Sequence, residues 1–200
     1  MSAEPALALA AVDPAVAREH PGLRAWTARV AARPGRTPPE LRARLRLLAD
    51  RFRGAEAIAL RTRPVPAAYR ALFRQLGLDP DVTRTPVEAL AVERLLRGGL
   101  PSRGLPEDAL ALATLETGVP VWACDAAHVD AGLELRPEPP DGRLVLADAA
   151  GPVAVLFSAP LPARAPGRAT TALRLISVQA PGVADLYVEE ALWTTIDALS

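Results

Sequence analysis

The sequence predicts an α+β fold, because its helical and strand-like patterns are segregated along the chain rather than interleaved. Capped amphipathic stretches dominate residues 37–118, and short apolar or alternating runs broken by Gly, Pro and Asp fill residues 119–178. Half of the 200 residues are hydrophobic, enough for one substantial core, and 21 prolines argue against an all-helical bundle. A single domain over residues 1–200, with a mostly antiparallel sheet and packed helices, is therefore expected.

The elements follow in order. A short helix is expected near residues 13–19 and a strand over residues 23–30 (LRAWTARV). Thr37-Pro38-Pro39-Glu40 starts a helix: Thr37 as cap, Pro38 in the first turn, Glu40 reaching back to the cap amide. Leu41, Leu45, Leu48 and Phe52 then form one apolar stripe, stopped by Gly54. A second helix runs from about Pro66 with Tyr69, Leu72, Phe73 and Leu76 inward, and Gly77 ends it. A third opens on Thr85-Pro86-Val87-Glu88 and carries Val92, Leu95 and Leu96 to Gly98-Gly99. A fourth spans residues 107–116 and stops at Gly118. Strands are expected at residues 119–123, 133–136, 144–147, 153–157 and 173–178, in one meandering sheet system. PLPARAPG (160–167) reads as an exposed mobile loop. Val188, Leu192, Ile196 and Leu199 line a last helix.

The net charge is zero but unevenly spread. All 23 basic residues are Arg, a usage that coding bias explains. Residues 1–78 hold 14 Arg against six acids, and residues 79–200 hold nine Arg against 17, so the halves carry +8 and −8. Such a split marks either a nucleic-acid face or two halves that pack with complementary charge. Cys124 is the only cysteine, which excludes an internal disulfide and suits a cytoplasmic location. The apolar run 6–12 is short and follows no basic segment, which argues against a signal peptide, and no run approaches the ~20 residues of a membrane span.

The sequence lacks the common catalytic signatures. It has no P-loop, no G-x-G-x-x-G and no G-x-S-x-G elbow, and no His/Cys cluster has metal-ligand spacing. No metal or cofactor is implied. His20 and His128 read as loop or surface residues. Glu88 reads as a capping-box acid, and Arg84 as a loop pin or a phosphate contact.

Four segments, taken in order, resemble the B3/B4 (tRNA-editing) domain family of the phenylalanyl-tRNA synthetase β subunit. They are YRALFRQLGLDPDVTRTPVEALAVERLLRGGLP (69–101), EDALALATLETGVPVWACD (107–125) with its continuation to Arg136, GRLVLADAAG (142–151) and ATTALRLISV (169–178). The likeness covers about residues 60–180 and resembles a free-standing domain without synthetase catalytic or anticodon-binding parts. It implies a pocket that admits a mischarged aminoacyl end and hydrolyses the ester, as second-sieve editing requires.

On that resemblance Thr170 and Ala172 fall on the family's Thr-x-Ala pair. They should border a concave site with Gly118, Trp122 and Asp148 from the neighbouring matched segments. The chain departs from the family at three places: Ala111 stands where Asn is frequent, Trp122 where His is frequent, and no Glu lies near Gly151-Pro152. The implied functions are therefore an aminoacyl-tRNA deacylase, with water positioned by backbone groups and Thr170, or a non-catalytic module binding tRNA or an amino-acid-like ligand. A third is a partner-binding protein that self-associates through its bipolar charge. No catalytic residue is named by the resemblance. Arg42, Arg46, Arg53 and Arg84 are the candidate RNA contacts, for weak, salt-sensitive tRNA binding without membrane association.

Overall fold

The protein has an α+β fold, seen in a computed structural model that describes residues 5–52 and 54–200. Eight strands form two four-stranded sheets among the described residues. The early strand pattern becomes β3 (Arg24–Val30), which joins the sheet rather than preceding it. It pairs along its whole length with β8 (Leu173–Gln179), from Arg24↔Gln179 to Val30↔Leu173. With β1 (Leu7–Leu9) and β4 (Val121–Asp125) they make an antiparallel sheet in the order β1-β3-β8-β4. The second sheet has the order β2-β5-β6-β7. It contains β2 (Ala11–Val12), β5 (Glu134–Glu138), β6 (Arg143–Asp148) and β7 (Gly151–Val155), with β2 parallel to β5 and the rest antiparallel.

The expected single sheet system is thus two. β5, β6 and β7 are joined by short turns and pair locally, whereas β4 and β8 are remote in sequence and meet through tertiary packing. The two sheets stack, with Trp122, Cys124 and Ile176 of the first opposite Leu146 and Ala154 of the second, and Leu156 just after it, across a void of only about 10 Å³. The apolar run near the N-terminus serves both sheets: β1 pairs with β3, Ala10 donates to Ala25 O, and β2 crosses to β5.

Helices cover the other face of the first sheet. Central are α6 (Glu107–Thr117) and α7 (Asp185–Leu199), whose Leu112, Ala113, Val188, Leu192 and Ile196 are buried in the common core. α1 (Pro14–Glu19) is capped by Asp13, which accepts from the amides of Ala15 and Val16. α2 (Pro39–Ala49) buries Leu41, Leu45 and Leu48 as the stripe predicts. Its cap differs from expectation: Pro38 occupies the N-cap position, and Thr37 Oγ1 donates instead to Asp108 Oδ2 at 2.5 Å. A short α3 (Gly54–Ala59), with no buried residue, follows where no helix was expected.

α4 (Pro64–Gln75) buries Tyr69, Leu72 and Phe73, and the Tyr69 hydroxyl donates to Val178 O at 2.6 Å, tying helix to sheet. α5 (Pro86–Arg97) has the expected capping box, with Thr85 N–H and Oγ1 both donating to Glu88 Oε2. Its apolar face is not the expected one. Val87, Glu88 and Ala91 are buried, Val92 is half-buried, and Leu95 and Leu96 are 39% and 82% exposed. The face turns because Glu88 is drawn inward to the Arg70 guanidinium, with Arg70 Nη1 donating to Glu88 Oε1 at 2.7 Å. Arg70 Nη2 also donates to Asp81 Oδ1 at 2.7 Å, so this buried hub joins α4, α5 and the turn between them. Arg70 and Glu88 are nearly inaccessible, whereas Asp81 is exposed, and a charge is tolerated in a core only when paired and hydrogen-bonded.

Candidate functional site

A cleft of about 680 Å³ opens where the free edge of the first sheet meets α5, α6 and the segment after β7. That volume lies within the ~300–1,000 Å³ typical of small-molecule sites. Three structural choices form it. Gly118 ends α6 at φ +79°, and a Cβ there would meet Pro66 Cδ at 3.2 Å and Val65 Cγ1 at 3.3 Å. The tight turn lets the chain double back from α6 straight into β4. Because β4 is the sheet's last strand, one side of its backbone is unpaired. Asp125 N–H donates outward to Arg164 O, and Ala126 N–H donates inward to Ala172 O. Alternation along the strand therefore turns the backbone groups of Ala123 and Val121 outward, and both residues line the cleft.

The cleft is mainly apolar. Leu90 of α5, Leu110 and Ala111 of α6, Trp122 of β4 and Phe157 form its body. Phe157 sits 5.8 Å from Trp122 and 4.7 Å from Phe73, centroid to centroid. Its φ of +61° is left-handed, a conformation a bulky side chain adopts only when its surroundings enforce it. The polar atoms are few. Thr114, 4% exposed, lines the cleft with a hydroxyl that makes no hydrogen bond among the described residues. Glu93 is neutralised at the rim by Arg103, whose Nη2 donates to both its carboxylate oxygens at 2.7 and 2.6 Å. Glu107 is exposed at the mouth. No His, Cys or Ser is present among the described lining residues.

The segment 158–170 is one wall of this cleft, contributing Ala159, Pro160, Ala165 and Pro166. Its stretch 160–167 was expected to be mobile, but the segment is pinned at two points. Arg164 donates bidentately to Asp148, Nη1 to Oδ2 at 3.1 Å and Nη2 to Oδ1 at 3.0 Å, and Nη1 also reaches His128 O. Thr170 Oγ1 donates to Asp125 Oδ2 at 2.6 Å and accepts from Gly167 N–H at 2.9 Å. The Thr170 hydroxyl and the Ala127 amide together hold the Asp125 carboxyl below the ordinary aspartate range.

The residues singled out from the sequence are only partly brought together. Trp122 lines the cleft, and so does Ala111, so two of the three departures from the family pattern face one cavity. Thr170 does not border it: the residue is 2% exposed and spent on Asp125, one layer behind the wall. Ala172 is likewise buried, its carbonyl accepting from Ala126 N–H, because both residues approach β8 on its inner side. Gly118 shapes the turn beneath the cleft and contacts Val65 and Pro66. Asp148 lines a separate concavity with Glu134, Arg136 and Gly151, and reaches the cleft only through Arg164. The expected five-residue pocket is therefore not assembled. Thr170 and Asp148 act as clamps on its wall.

Arg42 and Arg46 do share a groove of about 400 Å³ with Leu100 and Ser102. Neither makes an ion pair among the described residues. Arg53 lies outside the described residues, and Arg84 lines a different groove. Among the described residues, four of the 14 arginines of the basic half pair with the acidic half: Arg24 with Asp185, Arg44 with Glu116, and Arg61 and Arg70 with Asp81 and Glu88. Burial pushes the Cys124 thiol up to about 12, so it has no nucleophilic role at neutral pH. His20, expected in a loop or at the surface, lies in the bend that ends α1 and is 7% exposed. Sequence reasoning missed Thr114 and Phe157. Thr114 was hidden within an apolar helix pattern, and a left-handed Phe leaves no local signature.

Among the described residues no three His, Cys, Asp or Glu are grouped to hold a metal ion, and no helix is long and apolar enough to cross a membrane. No protein-family model and no curated protein matches this chain.

Proposed function

We propose that the chain is a B3/B4-type binding domain whose cleft takes an amino-acid-like ligand with an apolar side chain, without side-chain catalysis of ester hydrolysis. The observation that carries this reading is the pairing of an apolar body, built on Trp122 and Phe157, with outward backbone groups of Val121 and Ala123 on a free strand edge. A strand edge offers donors and acceptors at the spacing of a backbone-like ligand, and the Thr114 hydroxyl adds one further partner. Hydrolysis calls for a positioned base. In the cleft Glu93 is bound by Arg103, and the positions of Ala111 and Trp122 are apolar. Calorimetric titration with N-acetyl amino-acid amides and deacylation of a panel of mischarged tRNAs test the reading together. Binding of apolar members, lost on Trp122→Ala, with no hydrolysis above the buffer rate is expected. Failure of every apolar ligand to bind at millimolar concentration would sink it. Hydrolysis abolished by Glu107→Gln would establish the deacylase instead.

The free guanidinium groups of Arg42 and Arg46 support a second element of the proposal, weak contact with a tRNA backbone. Phosphate neutralisation releases counterions, so affinity should fall steeply with salt, and replacing both by Ala should flatten the logarithmic slope by up to about two. Undetectable binding at low salt would remove RNA from the account.

A further inference from the structure

A second groove, of about 450 Å³, lies on the far side of Phe157 between α1, α4, the β5–β6 hairpin and the end of β7. Phe157 lines both cavities and is the partition between them. His20 enters this groove from the end of α1, 93% of its surface removed from solvent, and its imidazole makes no hydrogen bond or ion pair among the described residues. A neutral imidazole always carries one donor and one acceptor, and the unpaired His20 nitrogens are not sealed in the core, so they open into the groove where a ligand can pair them.

The surrounding groups define that partner. Arg84, at the mouth, makes no ion pair among the described residues, and the hydroxyls of Thr83 and Ser158 are also unbonded. Of the acids on the rim, Asp141 is engaged by Arg143 at 3.0 Å, and Glu19 is exposed on α1. The floor is apolar and aromatic, formed by Phe73, Leu76 and Phe157. We propose that this groove binds a small molecule with a carboxylate on an apolar body. His20 and Arg84 take the carboxylate, and Phe73, Leu76 and Phe157 pack against the body. A guanidinium and an imidazole N–H make charge-assisted hydrogen bonds to a carboxylate, and the aromatic floor separates this ligand from an inorganic anion.

The chain contains only two histidines, so ¹³C-histidine-labelled protein gives two imidazole signals, with the 60% exposed His128 as the internal reference. Titration with phenylacetate should shift the His20 signal saturably and leave His128 unmoved. Arg84→Ala, at an exposed position that leaves the fold intact, should weaken binding by about tenfold, the loss of one charge-assisted contact. His20→Gln, with folding checked by circular dichroism, should weaken it similarly by calorimetry. Phenethylamine and inorganic phosphate should not compete. Equal or non-saturating shifts of both histidines, unchanged affinity in Arg84→Ala, or phosphate binding as tight as phenylacetate would each overturn the proposal.

Discussion

Replacing Thr170 by Val removes one hydroxyl and little volume, and so isolates the clamp on the cleft wall. The hydroxyl donates to the buried Asp125 carboxylate at 2.6 Å and accepts from Gly167 N–H at 2.9 Å. A hydrogen bond to a charged group contributes about 1.5–3 kcal/mol and a neutral one about 0.5–1.5, so the variant should lose roughly 2–4 kcal/mol. At about 2–4 °C per kcal/mol for a chain of this size, Tm should fall by roughly 5–15 °C. Urea unfolding at pH 7 measures the loss directly. The pH dependence supplies an independent check. A carboxyl held below its ordinary range contributes stability that is fully present above that range and is lost as pH falls through its folded value. The gap between wild type and Thr170→Val should therefore narrow in acid, as Asp125 is protonated in both. A loss under about 0.5 kcal/mol at pH 7, or a gap that stays constant into acid, would refute the assignment of Thr170 as a clamp on Asp125.

Two further substitutions test the frame around the cleft. Arg70→Leu leaves Glu88 buried beside α5 without its 2.7 Å partner, and breaking such a pair should cost about 3–5 kcal/mol in urea unfolding. A loss below about 1 kcal/mol, in the range of exposed ion pairs, would mean that the pair is solvated. Gly118→Ala forces a side chain into a left-handed position at 3.2 Å from Pro66, and should lower stability by about 1–3 kcal/mol. A neutral or stabilising Gly118→Ala would show that the helix-to-strand turn relaxes freely.

Local physics carried much of this protein. Several elements are legible in a few adjacent residues: the Leu41, Leu45, Leu48 stripe, the Thr85–Glu88 capping box and the Gly118 stop of α6, although the cap of α2 moved from Thr37 to Pro38 and Gly54, expected to stop it, opens α3. The short runs from Val121 to Gln179 likewise became strands, because alternation and turn residues are local properties. What stayed hidden depends on residues far apart in sequence. Arg70 decided which face of α5 is buried, drawing Glu88 inward and leaving Leu95 and Leu96 outside, so that a periodicity argument alone chose the wrong face. The 158–170 segment has the composition of a free loop, yet Asp148 and Asp125, on strands of different sheets, fasten it through Arg164 and Thr170. The candidate site is of this second kind. The family resemblance pointed to Trp122 as part of a pocket, and the four-residue helical spacing makes Arg42 and Arg46 neighbours on one face. Only tertiary structure brought the edge of β4, Thr114 and Phe157 around one cavity and turned His20 into another. Those meetings are set by how separate elements pack, and no window of adjacent residues encodes them.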